Sequence, residues 1–358
     1  MRIFVSAGEP SGDERGAEIV TELLELEPGL EIVGMGGPRM AEAGARLVAD
    51  ISKGGGVVGV QEALAHLGDL RSLIRKLARE ALASDLMLTI DYPGFHLYLA
   101  GKIKHPNAIY YIPPQTWAWG GFRLGLLSRY YRKLLCILPF EEAYFRSKGI
   151  NAIFVGHPLV DKLQDIKPVE TSGRPVFAFL PGSRPHEVRR LSRKFIRVKD
   201  ILKARFSEAE FLLSLLPGLE AFWPRDPDFR VFPGMAPEVL SAADVALVAS
   251  GTASLEAGYL GIPSVVVYMV SEITYWLARG VVKVPYTSLT NIILGKKVFP
   301  EHLQHLNPEA IVGDMIMLAH TGPPEGLFGL RDMLGPAGAS KRAARAILEE
   351  ICPDFRAP

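Results

Sequence analysis

The chain has 358 residues, which is above the size at which a single hydrophobic core usually keeps growing, so we expect two domains. Hydrophobic residues make up 48% and charged residues 22%, a composition typical of a folded globular protein. The formal net charge of +1 excludes a strongly basic chain, and no nucleic-acid partner is expected.

The cysteine content and the apolar segments indicate in which cellular compartment the protein is expected. Cys136 and Cys352 are too few for a disulfide framework or a zinc site, and we expect both to be reduced thiols. The N-terminal "MRIFVSAGEPSGD" lacks the apolar stretch of a signal peptide, and no apolar run reaches the ~20 residues that a spanning helix needs. We therefore expect a cytoplasmic protein that can associate with a membrane surface without crossing it.

Short apolar segments alternate with helical patterns in the first half of the chain. Apolar residues at three- and four-residue spacing in "GAEIVTELLEL" and "LGDLRSLIRKLAREALA" predict helices. Continuous apolar segments predict buried strands at residues 2–7, 31–36, 86–90, 108–112, 134–138 and 152–156. This alternation is typical of a parallel sheet covered by helices on both faces.

The same alternation resumes after a polar segment with Pro and Gly at residues 161–175, which predicts a linker. Further strands are predicted at residues 176–184, 210–216, 244–250 and 264–270. The predicted fold is therefore α/β, with two doubly wound parallel-sheet (Rossmann-like) lobes and a cleft between them. The expected divisions are residues 1–165, residues 175–325, and a C-terminal helical crossover or tail at residues 326–358.

The segment "TIDYPGF", residues 89–95, ends a predicted strand on Asp91 and then breaks at Pro93 and Gly94. The carboxyl end of a strand is where open parallel sheets bind their ligands. Asp91 is therefore a candidate catalytic residue. The alternative is that its carboxylate only caps the following helix.

A second strand-to-helix turn lies in "SAGEPSGDERGAEI", residues 6–19. We expect Gly8, Ser11 and Gly12 to form a loop that faces the cleft. Their spacing differs from the G-x-G-x-x-G pattern of nicotinamide and flavin sites, so no such cofactor is indicated. The alternative is an ordinary tight turn.

The segment "FLPGSRPHEVRRL", residues 179–191, has the same strand-turn-helix order in the second half. Ser183 and the first helical amides could hold an anion, and Arg184 adds a planar cation. This pattern predicts half of a diphosphate site. The alternative is a capped helix with a solvated arginine.

The other half is predicted in "LVASGTASLEAGYLGIP", residues 247–263. Gly251 permits close approach of a ligand to the backbone, and the amides of Thr252 and Ala253 open a helix. Such a site needs no metal. Glu256 lies one turn further on, where its carboxylate either complements the helix dipole or accepts hydrogen bonds from a ribose.

Two segments suggest contact with lipid. The glycine-rich stretch within residues 53–70 precedes a predicted apolar patch that admits acyl chains or enters a membrane, formed by Val57, Val58, Val60, Leu64 and Leu67. In residues 112–134, basic residues alternate with aromatic ones and leucines, which suits anionic headgroups. The alternatives are an ordinary helix face in the first segment, and core packing with a solvated basic face in the second.

Together these segments resemble the lipid-A-disaccharide synthases, which are inverting glycosyltransferases of the two-lobed GT-B type. The resemblance covers residues 5–300 and is carried, in order, by "SAGEPSGD", "GMGGPRM", "IDYPGF", "PPQTWAW", "ILPFEEAYF", "FVGHPLVD", "LPGSRPHEV", "ASGTASLE" and "YTSLTNIILG". It implies transfer of 2,3-diacylglucosamine from UDP-2,3-diacylglucosamine to 2,3-diacylglucosamine 1-phosphate. The implied products are a β(1→6) disaccharide 1-phosphate and UDP, formed without metal or cofactor on the inner face of the cytoplasmic membrane.

The resemblance also implies roles for single residues. Asp91 matches the acid of the I-D-x-P-x-F block and is the implied general base. Arg184 matches the arginine of L-P-G-S-R, and Glu256 matches the acid that closes S-G-T-A-x-L-E, an implied ribose ligand. Asn291 of the S-L-x-N block is expected at the nucleotide, and Gln115 of "PPQTWAW" at the cleft. The first lobe is implied to bind the acceptor and the membrane, and the second the UDP-sugar.

Two departures from the family pattern leave acyl specificity open. Gly120 and Gly121 stand where the family usually has a basic residue after W-A-W, and residues 214–235 are shorter than the pattern. The alternative functions are a UDP-sugar 2-epimerase of the same fold, a glycosyltransferase with another lipid acceptor, and a binding protein without catalysis. The apolar 54–67 segment and the basic-aromatic 117–133 segment argue against the epimerase. The sequence leaves the oligomeric state open.

Overall fold

The structure is a computed structural model that describes residues 1–52, 67–172, 175–270 and 284–352. The chain divides into two compact units. One contains Met1–Pro158 together with the C-terminal segment from Gly335, and the other contains Leu159–Leu334. The predicted C-terminal segment, residues 326–358, is thus divided between the two units.

The first unit contains a seven-stranded sheet in its described part, with the order β3-β2-β1-β4-β5-β6-β7 and every neighbouring pair parallel. Its strands are β1 (Arg2–Ala7), β2 (Glu31–Gly36), β3 (Arg46–Asp50), β4 (Leu86–Ile90), β5 (Ala108–Tyr111), β6 (Lys133–Cys136) and β7 (Ala152–Phe154). Its helices are α1 (Pro10–Leu26), α2 (Pro38–Glu42), α3 (Leu67–Leu82), α4 (Pro93–Ile103), α5 (Leu124–Tyr130) and α6 (Glu141–Arg146), with a 3₁₀ turn at Gly121–Arg123.

The second unit repeats this plan with a six-stranded parallel sheet of order β10-β9-β8-β11-β12-β13 in its described part. Its strands are β8 (Val176–Leu180), β9 (Glu210–Leu215), β10 (Phe229–Pro233), β11 (Val245–Ala249), β12 (Ser264–Tyr268) and β13 (Glu301–Leu303). Its helices are α7 (Leu159–Lys162), α8 (Pro185–Arg205), α9 (Ala236–Ala242), α10 (Thr252–Leu260), α11 (Leu289–Leu294), α12 (Pro308–Thr321) and α13 (Leu330–Met333), with 3₁₀ turns at Glu220–Phe222 and Glu325–Leu327.

The last helix, α14 (Ala339–Ile351), belongs to the first unit and packs on α1. Its alanines bring the two helices together around a core that also contains Ile347 and Ile19. The Arg342 guanidinium donates to the carbonyl of Val155 at 2.8 Å and ties the helix to the end of β7. Residues from both ends of the chain therefore build one hydrophobic core.

The predicted α/β class with two doubly wound parallel sheets is confirmed. The predicted strands that are central in the sheets are continuous apolar segments, and they are buried over most of their length. Three strands were not predicted from the sequence, β3, β10 and β13, and all three are edge strands with exposed or half-buried residues. An edge strand has one solvated side, so it lacks the continuous apolar pattern that marks a central strand.

The strand orders locate one special point in each sheet. In the first sheet the order reverses direction between β1 and β4, and in the second between β8 and β11. Connections leave these neighbouring strands toward opposite edges, which opens a crevice at their carboxyl ends. Open parallel sheets bind ligands in that crevice. In the described part of the chain, no helix is both long and apolar enough to cross a bilayer.

Candidate functional site

Asp91 lies at the reversal point of the first sheet. It follows Ile90, the last residue of β4, which is paired with Ala7 at the end of β1. Asp91 and Tyr92 both adopt left-handed backbone conformations, with φ of 47° and 50°. Consecutive left-handed residues other than glycine are uncommon and need support from their surroundings. This turn leaves the Asp91 side chain half-buried, and α4 begins after Tyr92, at Pro93.

Buried side chains hold the main chain of this turn. The Tyr110 hydroxyl donates to the Asp91 carbonyl oxygen at 2.7 Å, and His96 Nδ1 lies 2.6 Å from the same oxygen. His96 Nε2 lies 3.0 Å from the Ser6 hydroxyl, at the carboxyl end of β1. Because a carbonyl only accepts, Nδ1 carries the proton and Nε2 accepts from Ser6. Complete burial lowers the pKa of His96 to about 4, so the ring is neutral at physiological pH.

The Asp91 carboxyl has a pKa above that of an ordinary aspartate. Burial raises its pKa to about 6, with the neighbouring charge of Glu9 acting in the same direction and the Tyr92 amide partly offsetting both. The carboxylate is still mostly ionised at neutral pH, and it holds a proton more tightly than an ordinary aspartate with a pKa of ~3.9. These are properties of a general base.

The predicted loop residues follow β1, whose last residue pairs with Ile90, the neighbour of Asp91 in the chain. Glu9 precedes α1 and accepts a hydrogen bond from the exposed Ser11 hydroxyl at 3.0 Å. A side chain at Gly8 would collide with the ring of Tyr92, so glycine there is required for the Asp91 turn. Gly12 is buried in the first turn of α1. Glu9 belongs to the "SAGEPSGD" block, but its electrostatic effect on Asp91 was not predicted from the sequence.

Asp13 explains why "SAGEPSGD" and "GMGGPRM" occur together. Its buried carboxylate accepts from the backbone amides of Gly37 at 2.6 Å, Arg39 at 3.1 Å and Met40 at 3.1 Å. A Cβ at Gly37 would lie 2.6 Å from the Asp13 carboxylate. The second block therefore shapes the loop after β2 around Asp13, which is a structural role.

Ser183 and Arg184 lie at the reversal point of the second sheet. They follow β8 and lead into α8, with Gly182 at a φ of 112° that favours glycine. The Glu187 carboxylate accepts from the Ser183 amide at 3.3 Å and pairs with Arg184 Nη1 at 3.1 Å. Arg184 is largely exposed, so its other N–H groups face solvent. The negatively charged Glu187 carboxylate thus contacts the two groups, the Ser183 amide and Arg184, that were expected to bind an anion. This contact was not predicted from the sequence.

Gly251, Thr252 and Ala253 lie beside them, at the end of the neighbouring strand β11. Gly251 has φ 141° and ψ −151°, a conformation essentially restricted to glycine. The Ser254 hydroxyl donates back to the Gly251 carbonyl at 2.8 Å and fixes the turn. Thr252 is exposed and Ala253 half-buried, so the first amides of α10 lie near the surface.

Glu256 is half-buried one turn into α10. Burial raises its pKa to about 7, with nearby Lys162 lowering it and Glu238 raising it. Near neutral pH the group therefore exchanges between an acceptor-only carboxylate and a carboxylic acid that also donates. Both forms can bond to a ribose hydroxyl.

Asn291 does not fit direct contact with a nucleotide. Its side chain is completely buried and uses all four of its hydrogen-bonding positions inside the protein. The amide nitrogen donates to the Phe299 carbonyl at 2.9 Å and to Glu301 at 2.7 Å. The amide oxygen accepts from Val298 and Phe299, each at 2.9 Å. The expected ligand contact is therefore replaced by a positioning role between α11 and β13.

Asn291 sits in a helix that supports α10. The Thr290 hydroxyl donates to the Ser254 carbonyl at 2.6 Å, and a Cβ at Gly258 would lie 2.6 Å from that hydroxyl. The blocks "ASGTASLEAG" and "SLTN" are thus joined by close packing. Ser254 links α11 to the Gly251 turn, because its carbonyl accepts from Thr290 and its hydroxyl donates to the Gly251 carbonyl.

In the "PPQTWAW" segment, buried residues alternate with exposed or half-buried ones. Gln115 is exposed, and Trp117 donates to Glu141 at 3.0 Å. Trp119 is 47% exposed, with the Arg123 guanidinium 4.3 Å from the centre of its ring. Burial raises the pKa of Glu141 to about 7, and the hydrogen bond from Trp117 partly offsets this effect.

The remaining predicted residues belong to the apolar patch. Val57, Val58, Val60 and Leu64 lie outside the described residues. Leu67 begins α3, and the surroundings of its side chain also lie outside the described part. Within residues 1–52, 67–172, 175–270 and 284–352, no three His, Cys, Asp or Glu side chains converge as metal ligands do.

Solved structures resemble the fold of the whole chain. The glycosyltransferase of kitacinnamycin matches with a TM-score of 0.66 and 17% identity over 98% of both chains. A putative UDP-N-acetylglucosamine 2-epimerase from Listeria monocytogenes matches with a TM-score of 0.58 and 12% identity, over 99% of this chain and 98% of that one. At these identities the likeness establishes the fold and does not choose between the activities.

The sequence relatives are more specific. The family model described as lipid-A-disaccharide synthetase matches residues 3–313. The lipid-A-disaccharide synthase of Myxococcus xanthus is 38% identical over 98% of both chains, and that of Syntrophus aciditrophicus is 37% identical over 96% of both. On these matches, the chain belongs to the lipid-A-disaccharide synthase family.

Proposed function

We propose that this chain catalyses the disaccharide-forming step of lipid A synthesis, with Asp91 as the general base. The donor is UDP-2,3-diacylglucosamine and the acceptor is 2,3-diacylglucosamine 1-phosphate. Membership of the family supports the reaction class. The observation that supports Asp91 is its placement at the reversal point of the first sheet, with a pKa raised to about 6.

In this mechanism the Asp91 carboxylate takes the proton of the acceptor 6-hydroxyl. The acceptor oxygen bonds to C1 of the donor sugar as the C1–O bond to the diphosphate breaks. Attack from the face opposite the leaving group inverts C1 and gives the β linkage. General base catalysis of this kind typically contributes ~10²–10⁴-fold to the rate.

The leaving UDP is assigned to the reversal point of the second sheet. Exposed N–H groups of Arg184 and the first amides of α10, at Thr252 and Ala253, would bind diphosphate oxygens as negative charge develops. Glu256 would accept from the ribose hydroxyls. Ser183 and Gly251 shape the backbone of this site, and Glu187 must give up part of its contact with Arg184 when the diphosphate arrives.

The substrates carry acyl chains, so we place the protein at the inner face of the cytoplasmic membrane. The Val57–Leu67 patch predicted from the sequence is the proposed anchor. The exposed rings of Trp119 and Phe122, with the Arg123 guanidinium against both, support a lipid-facing surface on the first unit. No metal is required in this proposal, because helix amides and arginine neutralise the diphosphate.

The test is incubation of the purified protein with UDP-diacylglucosamine, with and without the monosaccharide 1-phosphate lipid. Disaccharide and UDP formed only when the acceptor is present support the proposal. UDP release or isomerisation of the donor without acceptor contradicts it and supports the 2-epimerase alternative. Transfer to a different lipid in preference to the monosaccharide 1-phosphate would correct the acceptor alone.

A further inference from the structure

A groove runs along α4 in the first unit, and of the residues that line it only Phe122 and Arg123 have been given a role above, in the lipid-facing surface. One wall is α4 from Pro93 to Lys102, and the other is the Gly121–Arg123 turn with α5. Its volume is about 490 Å³. Pro93 is two residues from Asp91, so the groove starts beside the proposed base and follows the helix away from it. We call it the α4 groove.

The α4 groove has apolar walls that face solvent. Phe122 is 75% exposed, Tyr98 47% and Leu126 37%, while Leu97 lines the interior. A Cβ at Gly94 would meet no atom within 4 Å, so the groove is open beside Gly94. Clustered exposed apolar side chains of this kind mark a binding surface.

The charges of the α4 groove are all positive. Lys102 lies at one end, with its ammonium 5.3 Å from the centre of the Tyr98 ring. Arg123 lies against Trp119 at 4.3 Å and Phe122 at 5.3 Å. Among the described residues that line the groove, none is acidic. An apolar channel with cations and without acids complements an acylated anion.

Arg123 is electrostatically linked to the turn that carries the proposed base. Burial raises the pKa of the Tyr110 hydroxyl well above its usual value, Tyr131 and Asp91 raise it further, and Arg123 lowers it. The charges of Arg123 and Asp91 therefore act on one hydroxyl, which itself donates to the Asp91 carbonyl.

We infer that the α4 groove binds an acyl chain of the acceptor lipid and that Arg123 binds the acceptor's 1-phosphate. This inference rests on the proposed function and names the acceptor subsite. The acceptor fits the groove better than the donor does, because the reacting hydroxyl of the acceptor must lie at Asp91. The acceptor also carries a phosphate monoester on its sugar, which Arg123 can bind. The donor's charge is in the diphosphate, which we assign to the second unit.

The first experiment measures steady-state kinetics in detergent micelles for Arg123→Gln and Phe122→Ser. Arg129→Gln is the matched cation control, since Arg129 is exposed on α5 but does not line the groove. Phe328→Ser is the matched apolar control, because Phe328 is 74% exposed and lies on the second unit. We expect both groove variants to raise the acceptor KM about tenfold. The donor KM, the UDP affinity and the controls should stay near wild type.

The second experiment needs no turnover and separates this inference from the proposed function. Calorimetry with dodecyl phosphate should show binding to the wild-type protein and at least about tenfold weaker binding to Arg123→Gln and Phe122→Ser. If wild-type protein makes no disaccharide, the proposed function and the acceptor assignment both fail. Dodecyl phosphate binding that still depends on Arg123 and Phe122 would then show that the groove binds an acylated anion of another kind.

An unchanged acceptor KM in active groove variants overturns the inference and leaves the proposed function standing. The inference also fails if both variants lose binding to phosphatidylglycerol vesicles while the acceptor KM in micelles is unaltered. In that case the groove contacts a bilayer phospholipid instead of the acceptor. Equal dodecyl phosphate affinity in wild type and variants also overturns it.

Discussion

His96 and Asp91 are joined by a 2.6 Å contact between the imidazole Nδ1 and the Asp91 main-chain carbonyl oxygen. This contact stabilises a strained backbone turn. It involves the main-chain oxygen of Asp91 and does not involve the side-chain carboxylate. The buried ring is neutral because its pKa is lowered to about 4. The proposed base is thus positioned through its backbone, by a residue that adds no positive charge beside it.

Replacing Asp91 with asparagine should abolish most turnover and stabilise the fold. Asparagine tolerates the left-handed conformation and keeps the side-chain shape, but it cannot take a proton. The folded-state pKa is raised from 3.8 to about 6, so ionisation opposes folding as pH rises through that window. At neutral pH we expect the variant to gain about 1–3 kcal/mol in free energy of unfolding.

Chemical denaturation, UDP calorimetry and turnover of Asp91→Asn measure these effects together. Asp85→Asn, an exposed residue at the other end of β4, is the control and should retain activity. Near-wild-type turnover of Asp91→Asn would eliminate the carboxylate as the base. Loss of UDP binding would show that the substitution disturbs more than the chemistry.

The pH profile of turnover should report the Asp91 carboxyl. A base must be ionised, so we expect kcat/KM to rise with pH and level off above an apparent pKa of about 6. Glu9→Gln removes a charge that raises this pKa and should move the acidic limb to lower pH. Glu25→Gln, exposed further along α1, should leave the limb in place. If the acidic limb of the kcat/KM profile were the same in Glu9→Gln as in wild type, the effect of the Glu9 charge on the Asp91 pKa would be refuted.

Acid should expose opposite contributions of His96 and Asp91 to stability. The folded-state pKa of His96 is lowered from 6.5 to about 4, so its contribution is complete above 6.5 and is lost as pH falls toward 4. The free energy of unfolding that His96 contributes, and that is lost over this pH range, is about 3 kcal/mol. Asp91 acts in the other direction, since protonation below pH 6 relieves a buried charge. Denaturation between pH 7 and 4 should therefore show a steeper fall in Asp91→Asn than in wild type. Parallel curves would contradict this linkage.

Arg184→Ala should weaken UDP binding by about tenfold, because charge-assisted hydrogen bonds to the diphosphate are lost. Glu256→Ala should also weaken it, through the ribose. Arg193→Ala is the matched control, because Arg193 is exposed on α8, the helix that Arg184 precedes. Calorimetry with UDP is the measurement. Wild-type affinity in either variant would remove that residue from the nucleotide site.

Asn291→Ala should destabilise the second unit while leaving UDP contacts intact. The change deprives the Val298 and Phe299 amides and the Glu301 carboxylate of a buried hydrogen-bond partner, at a cost of about 2–4 kcal/mol. Thermal unfolding should show a lowered midpoint, and UDP affinity well below that midpoint should change less than about threefold. A large loss of affinity at unchanged stability would restore direct contact.

The parts of the site that lie next to continuous apolar strands were predictable from the sequence. Asp91 and Gly251 each follow a fully buried strand, so local pattern was sufficient to place them at a strand end. Glu187 and His96 were missed because their partners are known only once the turns are folded. Asn291 was misjudged for a similar reason: a polar residue before an apolar segment does not reveal that groups elsewhere saturate its amide.

The packing of α14 on α1 also governs when the first unit can form during synthesis. Val20 and Leu23 of α1 share a core with Ala343 and Ile347, which emerge from the ribosome more than three hundred residues later. The complete second unit is translated between them. The first unit therefore finishes folding only after α14 has been synthesised, and until then a strip of α1 remains uncovered for chaperones or for aggregation.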